Sequence, residues 1–221
     1  MSEGLIDRLA EQDTRGGHES FAVAPGIVTE SFDLMGEGRV KVRIPAMPGF
    51  EPWARISSVG AGSGRGFAWI PQVDDEVLVA FAQNDLAGAY VLGGLWSTRD
   101  RPPLTLPSDS QTKRVIKTGI LAAPGHEVEF DDLLQSVTIT TSTKQKITLA
   151  PEKVEVSASF GAMTITLDTA AQTISIQSAL KIQLKATQIS IEGVTVEIKG
   201  GTVSIDSTGP CTVKGLPIAL N

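Results

Sequence analysis

The chain has 221 residues, of which 41% are hydrophobic, 20% are charged and 5% are aromatic, and its formal net charge is -6. These values fit a folded protein of one or two domains and disfavour a nucleic-acid partner, because binding to a phosphate backbone needs clustered Lys and Arg. The single cysteine, Cys211, excludes an intrachain disulfide, and no apolar run reaches the ~20 residues of a membrane-spanning helix.

The first 20 residues are polar, apart from a short helical pattern at Leu5, Ile6 and Leu9. They are predicted to form an N-terminal arm (residues 1–20) with one helix that is too short to be stable alone. No basic segment followed by an apolar one is visible here, so no secretory signal peptide is expected.

Residues 21–98 alternate between short apolar segments and turns rich in glycine, with no helical window. Five or six short strands of this kind predict a small all-β barrel, and a five-stranded barrel of the OB (oligonucleotide/oligosaccharide-binding) type fits best. The aromatic residues available for the core and rims of this barrel are Trp53, Phe67, Trp69, Phe81, Tyr90 and Trp96. A Pro-rich linker, residues 99–111, follows the barrel.

Residues 112–221 consist largely of short segments in which Val or Ile alternates with Thr, Ser, Lys or Gln. This period of two predicts strands with one buried face. The connections between these segments are very short: only Glu192 and Gly193 separate Ile189–Ile191 from Val194–Ile198. From Val137 to Val213 there is one aromatic residue, Phe160, so a single chain has little with which to fill a core. We therefore expect other chains to cover the apolar face, and the apolar position of Cys211 predicts a buried thiol.

Three candidate sites are weak on the residues alone. The glycine loop at residues 60–66 precedes a predicted strand, whereas a phosphate cradle requires a following helix. The pairs Asp74–Asp75 and Asp131–Asp132 fall at turns, where aspartate is favoured as a backbone cap. His126 with nearby carboxylates on alternating faces makes a poor metal site. No catalytic, cofactor-binding or metal-binding residue is therefore expected.

Several motifs in series carry a resemblance to a known family. They are the segments Gly26–Glu30, Gly38–Pro45, Trp53–Ile56, Gly60–Gly66, Ile70–Phe81, Tyr90–Trp96 and Arg101–Pro103, followed by Lys117–Thr118 and Gly125–Asp132. This order resembles phage baseplate assembly protein V and the VgrG-type central spike proteins of contractile injection systems, from about residue 22 to the C-terminus. The resemblance implies an OB barrel followed by an intertwined trimeric β-helix, a β-prism, over residues 112–221.

In this family the resemblance implies a structural puncturing device and no enzyme. Such a spike nucleates the baseplate, pierces the target envelope and belongs to a phage tail or phage-tail-like particle assembled in the cytoplasm. The implied partners are two further copies of the chain, a separate tail-hub protein above the barrels, baseplate wedge proteins and a PAAR-repeat tip protein. The membrane would be contacted only transiently, and no cofactor or nucleic acid is implied.

The resemblance places two groups of residues in named roles. The apolar C-terminal end would bind the tip protein through Leu216, Pro217, Ile218 and Leu220. One apolar residue from each successive strand would line the trimer axis, namely Ile165, Ile174, Ile182, Ile191, Val196, Ile205 and Val213. The alternative hypothesis is a glycan-binding or glycan-cleaving β-solenoid that uses Asp131 and Asp132 in a groove.

Overall fold

The structure, a computed structural model, describes residues 23–82, 85–120 and 123–218. The predicted N-terminal arm lies outside these residues. The regular secondary structure of the described part is nearly all β, as the sequence predicts, and the chain divides after Ala179 into two units. The strands are β1 (Val23–Glu30), β2 (Arg39–Arg43), β3 (Trp53–Ile56), β4 (Ala61–Gly62), β5 (Arg65–Gly66), β6 (Glu76–Ala82), β7 (Asp85–Gly94), β8 (Lys113–Lys117), β9 (Glu127–Asp131), β10 (Ser136–Thr140), β11 (Lys146–Leu149), β12 (Lys153–Ala158), β13 (Met163–Asp168) and β14 (Thr173–Ser178). A short helix, α1 (Asp109–Thr112), precedes β8, and a 3₁₀ turn (Ser159–Gly161) joins β12 to β13.

Five strands close into a barrel in the order β1-β2-β3-β7-β6, which confirms the five-stranded OB-type barrel. All neighbouring pairs are antiparallel except β3 and β7. The glycine loop forms the small hairpin β4–β5, so it is a tight β connection. The strand predicted directly after the glycine loop, at residues 67–71, does not form: residues 67–70 are exposed, and Pro71 is buried.

Small and β-branched side chains fill the barrel interior. The buried residues are Ala24, Val28, Val40, Val42, Ile44, Ala54, Val77, Val79, Phe81, Ala89 and Val91. Of the six aromatic residues assigned to the core and rims, only Phe81 belongs to this core; Tyr90 is half-buried, and the other four lie at the surface. A small barrel leaves room for side chains of modest size only, which explains why the large rings lie outside.

The turn between β1 and β2 is fixed by the carboxylate of Asp33. It accepts hydrogen bonds from the backbone N–H groups of Met35 (3.0 Å) and Glu37 (3.1 Å), and two from the guanidinium of Arg39 (3.1 Å each). Arg39 in turn lies over the ring of Trp53, 5.9 Å from its centroid. The hydrogen bond from Arg39 is the main reason that the pKa of Asp33 falls from 3.8 to about 2.

We expect Asp33→Asn to lower the melting temperature at neutral pH, because the amide loses the charge-assisted bonds to Arg39. The folded-state pKa of Asp33 lies below its unfolded value, so the stabilisation is complete above about pH 4. It is lost as the pH falls towards the folded-state value of about 2. Melting curves followed by circular dichroism should therefore converge for wild type and variant in acid. Asp74→Asn, at an exposed turn, is the control, and a gap that widens in acid would contradict the prediction.

The second half of the first unit is a seven-stranded antiparallel sheet in which β8 to β14 follow one another in sequence order. Each strand is antiparallel to the next, and short turns join β9 to β14, so alternate turns lie on the same edge of the sheet. Strands β10 to β14 coincide with segments that the period-two pattern predicts. The pattern therefore identifies both the strands and the face that each apolar residue occupies.

Candidate functional site

One face of the seven-stranded sheet carries two continuous columns of apolar side chains. The strand register aligns the side chains of each column; the first column runs from β8 to β14 and the second from β9 to β14. The first column is Ile116, Val128, Ile139, Ile147, Val156, Ile165 and Ile176, and the second is Phe130, Val137, Leu149, Val154, Leu167 and Ile174. We call this surface the apolar sheet face. Residues two apart in one strand share a face, so both columns lie on the same side.

The apolar sheet face is uncovered in the single chain. Its most exposed members range from 38% for Ile147 to 74% for Ile174. Single exposed apolar residues are normal on a protein surface, but a continuous patch across seven strands marks an interaction surface.

The opposite face of the sheet is polar and internally paired. Lys117 contacts Glu127 at 2.7 Å, Lys153 contacts Glu155 at 2.7 Å, and Lys113 contacts Glu129 at 3.2 Å. The hydrogen bond with Glu129 is the main cause that raises the pKa of Lys113. Ion pairs at the surface contribute little to stability but suit a solvated face. The sheet is therefore strongly two-sided, with one face suited to water and one suited to burial.

Residues 180–218 continue the same alternation, yet no strand is assigned among them. A strand needs a neighbour to satisfy its backbone N–H and C=O groups, and no backbone ladder is formed within this stretch. The side chains described here are exposed, including that of Cys211, contrary to the predicted buried thiol. The pattern indicates strands, and this stretch of a single chain does not supply the partners.

The predicted trimer-core residues fall into two groups. Ile165 and Ile174 lie on the apolar sheet face, in adjacent columns, with Ile165 beside Ile176 and Ile174 beside Leu167. The remaining five are exposed residues of the second unit: Ile182, Ile191, Val196, Ile205 and Val213. Counting one residue per strand overlooked the second column and the start of the face at β8 and β9. The alternation itself contained that signal.

The predicted tip residues lie at the end of the described chain. Leu216, Pro217 and Ile218 are exposed, whereas Leu220 lies outside the described residues.

The side chain of Asp131 caps the turn that follows β9. Its side chain is only 5% exposed and accepts hydrogen bonds from the N–H groups of Leu134 (2.9 Å) and Leu133 (3.0 Å). The bond from Leu134 is the main cause that lowers the pKa of Asp131; burial opposes it and the Lys113 charge, 3.6 Å away, supports it. A carboxylate held ionised in this way serves as a turn cap, and its environment does not favour a general acid.

His126 is held across the strand ends. Its backbone N–H donates to Thr118 Oγ1 at 2.9 Å, and its ring Nδ1 accepts from the N–H of Ser142 at 3.4 Å. Within the described ranges, no group of three His, Cys, Asp or Glu side chains is placed to hold a metal ion. In the same residues, no helix is long and apolar enough to span a membrane.

The barrel matches a known domain family. Residues 24–96 match the model of the type VI secretion system/phage-baseplate injector OB domain. These residues cover the barrel strands almost completely, so the barrel is an OB domain of this injector family. The predicted resemblance to baseplate assembly protein V and VgrG-type proteins is therefore confirmed for the barrel.

Two curated relatives agree with this assignment. The chain is 35% identical over 102 residues to the actin cross-linking toxin VgrG1 of Vibrio cholerae, which covers 43% of the chain and 9% of that protein. It is 32% identical over 119 residues to the type VI secretion system spike protein VgrG5 of Pseudomonas aeruginosa, which covers 50% of the chain and 15% of that protein. The chain therefore matches only a small part of the length of either relative.

Proposed function

We propose that this chain is the central spike of a contractile injection machine or phage tail and that it works as a homotrimer. Three OB barrels form a collar, and three chains bring their apolar sheet faces together around one axis. The observation that supports this best is the two-sided sheet, which has one apolar face uncovered across seven strands. A prism of three such faces buries the apolar columns and leaves the ion-paired faces in water.

The second unit supports the same assembly. Residues 180–218 keep the alternation of strands without an internal ladder, and strands from two other copies can pair with them. Interleaving of three chains also leaves few free strand edges. In this proposal the chain is organised as an arm (1–20), an OB domain (21–98), a linker (99–111) and a spike (112–221).

The proposed partners are those that the family resemblance implies. A separate tail-hub protein and baseplate wedge proteins contact the barrel collar, and a PAAR-repeat tip protein caps the exposed apolar end around Leu216 and Ile218. The role is mechanical: the spike belongs to a phage-tail-like particle and pierces the target envelope, so we propose no catalytic residue. The alternative of a glycan-cleaving solenoid requires the Asp131 carboxylate in a groove. That carboxylate instead caps a turn, which disfavours the alternative.

The mass of the purified chain under native conditions tests the proposal. We expect three copies of the 23.3 kDa chain, with a trimer band that persists in SDS without heating. Glycan hydrolysis by the same sample should be absent. A mass of one or two copies would exclude the spike.

A further inference from the structure

The turn between β9 and β10 carries two exposed leucines, Leu133 (75% exposed) and Leu134 (66% exposed). Turns normally hold Gly, Pro, Asn, Asp or Ser, so a leucine pair here is unusual. The other turns on this edge of the sheet, residues 150–152 and 169–172, contain only small, polar or charged residues and one proline. We call Leu133 and Leu134 the leucine knob.

The leucine knob is rigidly presented. Asp131 accepts the N–H groups of both leucines, and the N–H of Asp132 donates to the carbonyl of Thr112 at the end of α1 (2.8 Å). The ion pair between Lys113 and Asp131 adds a third tie. Because the turn is already ordered, little conformational entropy is lost when the knob is buried by a partner.

An apolar groove lies at the other end of the same strands. It has a volume of about 720 Å³ and lies between the barrel and the C-terminal half of β8. Its walls include Phe67 and Trp69, whose rings stack with centroids 5.9 Å apart, and Trp96, which is 67% exposed. Its lining also includes Ile116, the first residue of the apolar sheet face.

Knob and groove cannot meet within one chain. Lys113 pairs with Asp131 at the knob end, whereas Lys117 pairs with Glu127 at the groove end. The two features are thus separated by the length of β8, roughly 15 Å at about 3.4 Å per residue. They lie at neighbouring levels of the sheet, since the knob follows Asp131, which pairs with Lys113 of β8, and the groove is lined by the C-terminal half of β8.

We infer that the leucine knob of one copy docks in the aromatic groove of the next copy around the trimer axis. This inference rests on the trimer proposed above. A contact between two different patches of identical chains is head-to-tail, and it closes into a ring when the rotation between copies permits. In a three-sided prism, the knob edge of one sheet meets the groove edge of its neighbour. The groove is continuous with the apolar sheet face through Ile116, so one apolar interface joins the barrel collar to the spike.

Site-specific cross-linking tests this docking. Cys211→Ser provides a cysteine-free parent, into which Leu133→Cys and Trp96→Cys are introduced together. Both positions are exposed, so folding should survive. With a short bismaleimide we expect covalent species that end at three copies on a denaturing gel, because each chain carries one knob and one groove. The matched control pairs Trp96→Cys with Glu152→Cys, which lies in the next turn on the knob edge, two strands further along the sheet, and it should stay uncross-linked.

The native mass of the cysteine-free parent distinguishes failure of the trimer from failure of the docking. A parent that is not a trimer contradicts the proposed function itself. A trimeric parent that gives no cross-linked ladder, or that cross-links equally well through the control pair, overturns the docking alone. The variant Leu133→Ser/Leu134→Ser supplies an independent readout: its trimer should dissociate at least about tenfold more readily on dilution, and an unchanged trimer would also overturn the docking.

Discussion

Replacing Ile165 by aspartate is expected to convert the trimer into monomers. Ile165 lies in the middle of the first apolar column, beside Val156 on one side and Ile176 on the other. In the proposed prism, three such side chains face the axis together. An uncompensated charge in a buried site costs about 3–5 kcal/mol, and each 1.4 kcal/mol reduces an association constant about tenfold. Assembly should weaken by at least about a hundredfold.

The matched control is Thr164→Asp, one residue earlier in β13. Thr164 points to the polar face and pairs with Ser157 and Gln177. The same charge in the same strand should leave the trimer intact, as measured by sedimentation velocity over a range of concentrations. If Thr164→Asp dissociates the trimer and Ile165→Asp does not, the inward face is assigned the wrong way round.

Ile182→Asp extends the test to the second unit. Ile182 is exposed in a stretch that forms no ladder, so its burial depends entirely on other copies. We expect trimerisation to be lost here too. A trimer that survives Ile182→Asp but not Ile165→Asp would confine the interface to the sheet of residues 113–178.

The sequence predicts this architecture well wherever a local pattern determines it. Alternation is local, so β10 to β14 and their apolar face follow from it directly. The order of strands and glycine turns likewise predicts the barrel. The interior of the barrel is harder to predict, because its diameter, and not the hydrophobicity of a residue, decides which side chains fit. Trp69 and Trp96 are therefore surface residues in a chain with few aromatic residues.

The candidate site shows the same division. Period two predicts which residues of β13 and β14 are apolar, but only the register shows that Ile165 aligns with Ile176 and not with Ile174. The leucine knob has no period at all, since it lies in a turn, and the groove joins residues more than forty positions apart in the chain. Features that depend on register or on long-range contacts required the structure.

Gly26 is the position in the barrel core where the addition of a single methyl group should have the largest effect. It lies in β1 and is buried, with ordinary strand geometry, so a side chain is excluded by space and not by backbone conformation. A Cβ added there would clash with Val42 Cγ1 and would lie 3.1 Å from Ile44 Cδ1 and 3.2 Å from Val79 Cγ2. Overpacking of this kind costs about 1–3 kcal/mol. Gly93→Ala is the control, because nothing lies within 4 Å of its added Cβ.

A double-mutant cycle separates the clash from any general effect of alanine at residue 26. Val42→Ala removes the Cγ1 atom that the new methyl group meets, and alone it should destabilise the barrel by about 2 kcal/mol, since it deletes two buried methyl groups. In the double variant the alanine at 26 occupies part of the space vacated at 42. The loss of unfolding free energy in the double variant should therefore be about 0.5–3 kcal/mol smaller than the sum of the losses in the two single variants. Urea unfolding at one fixed protein concentration measures all four corners, because assembly makes stability concentration-dependent. Strict additivity would show that the cost at residue 26 arises elsewhere than in the contact with Val42.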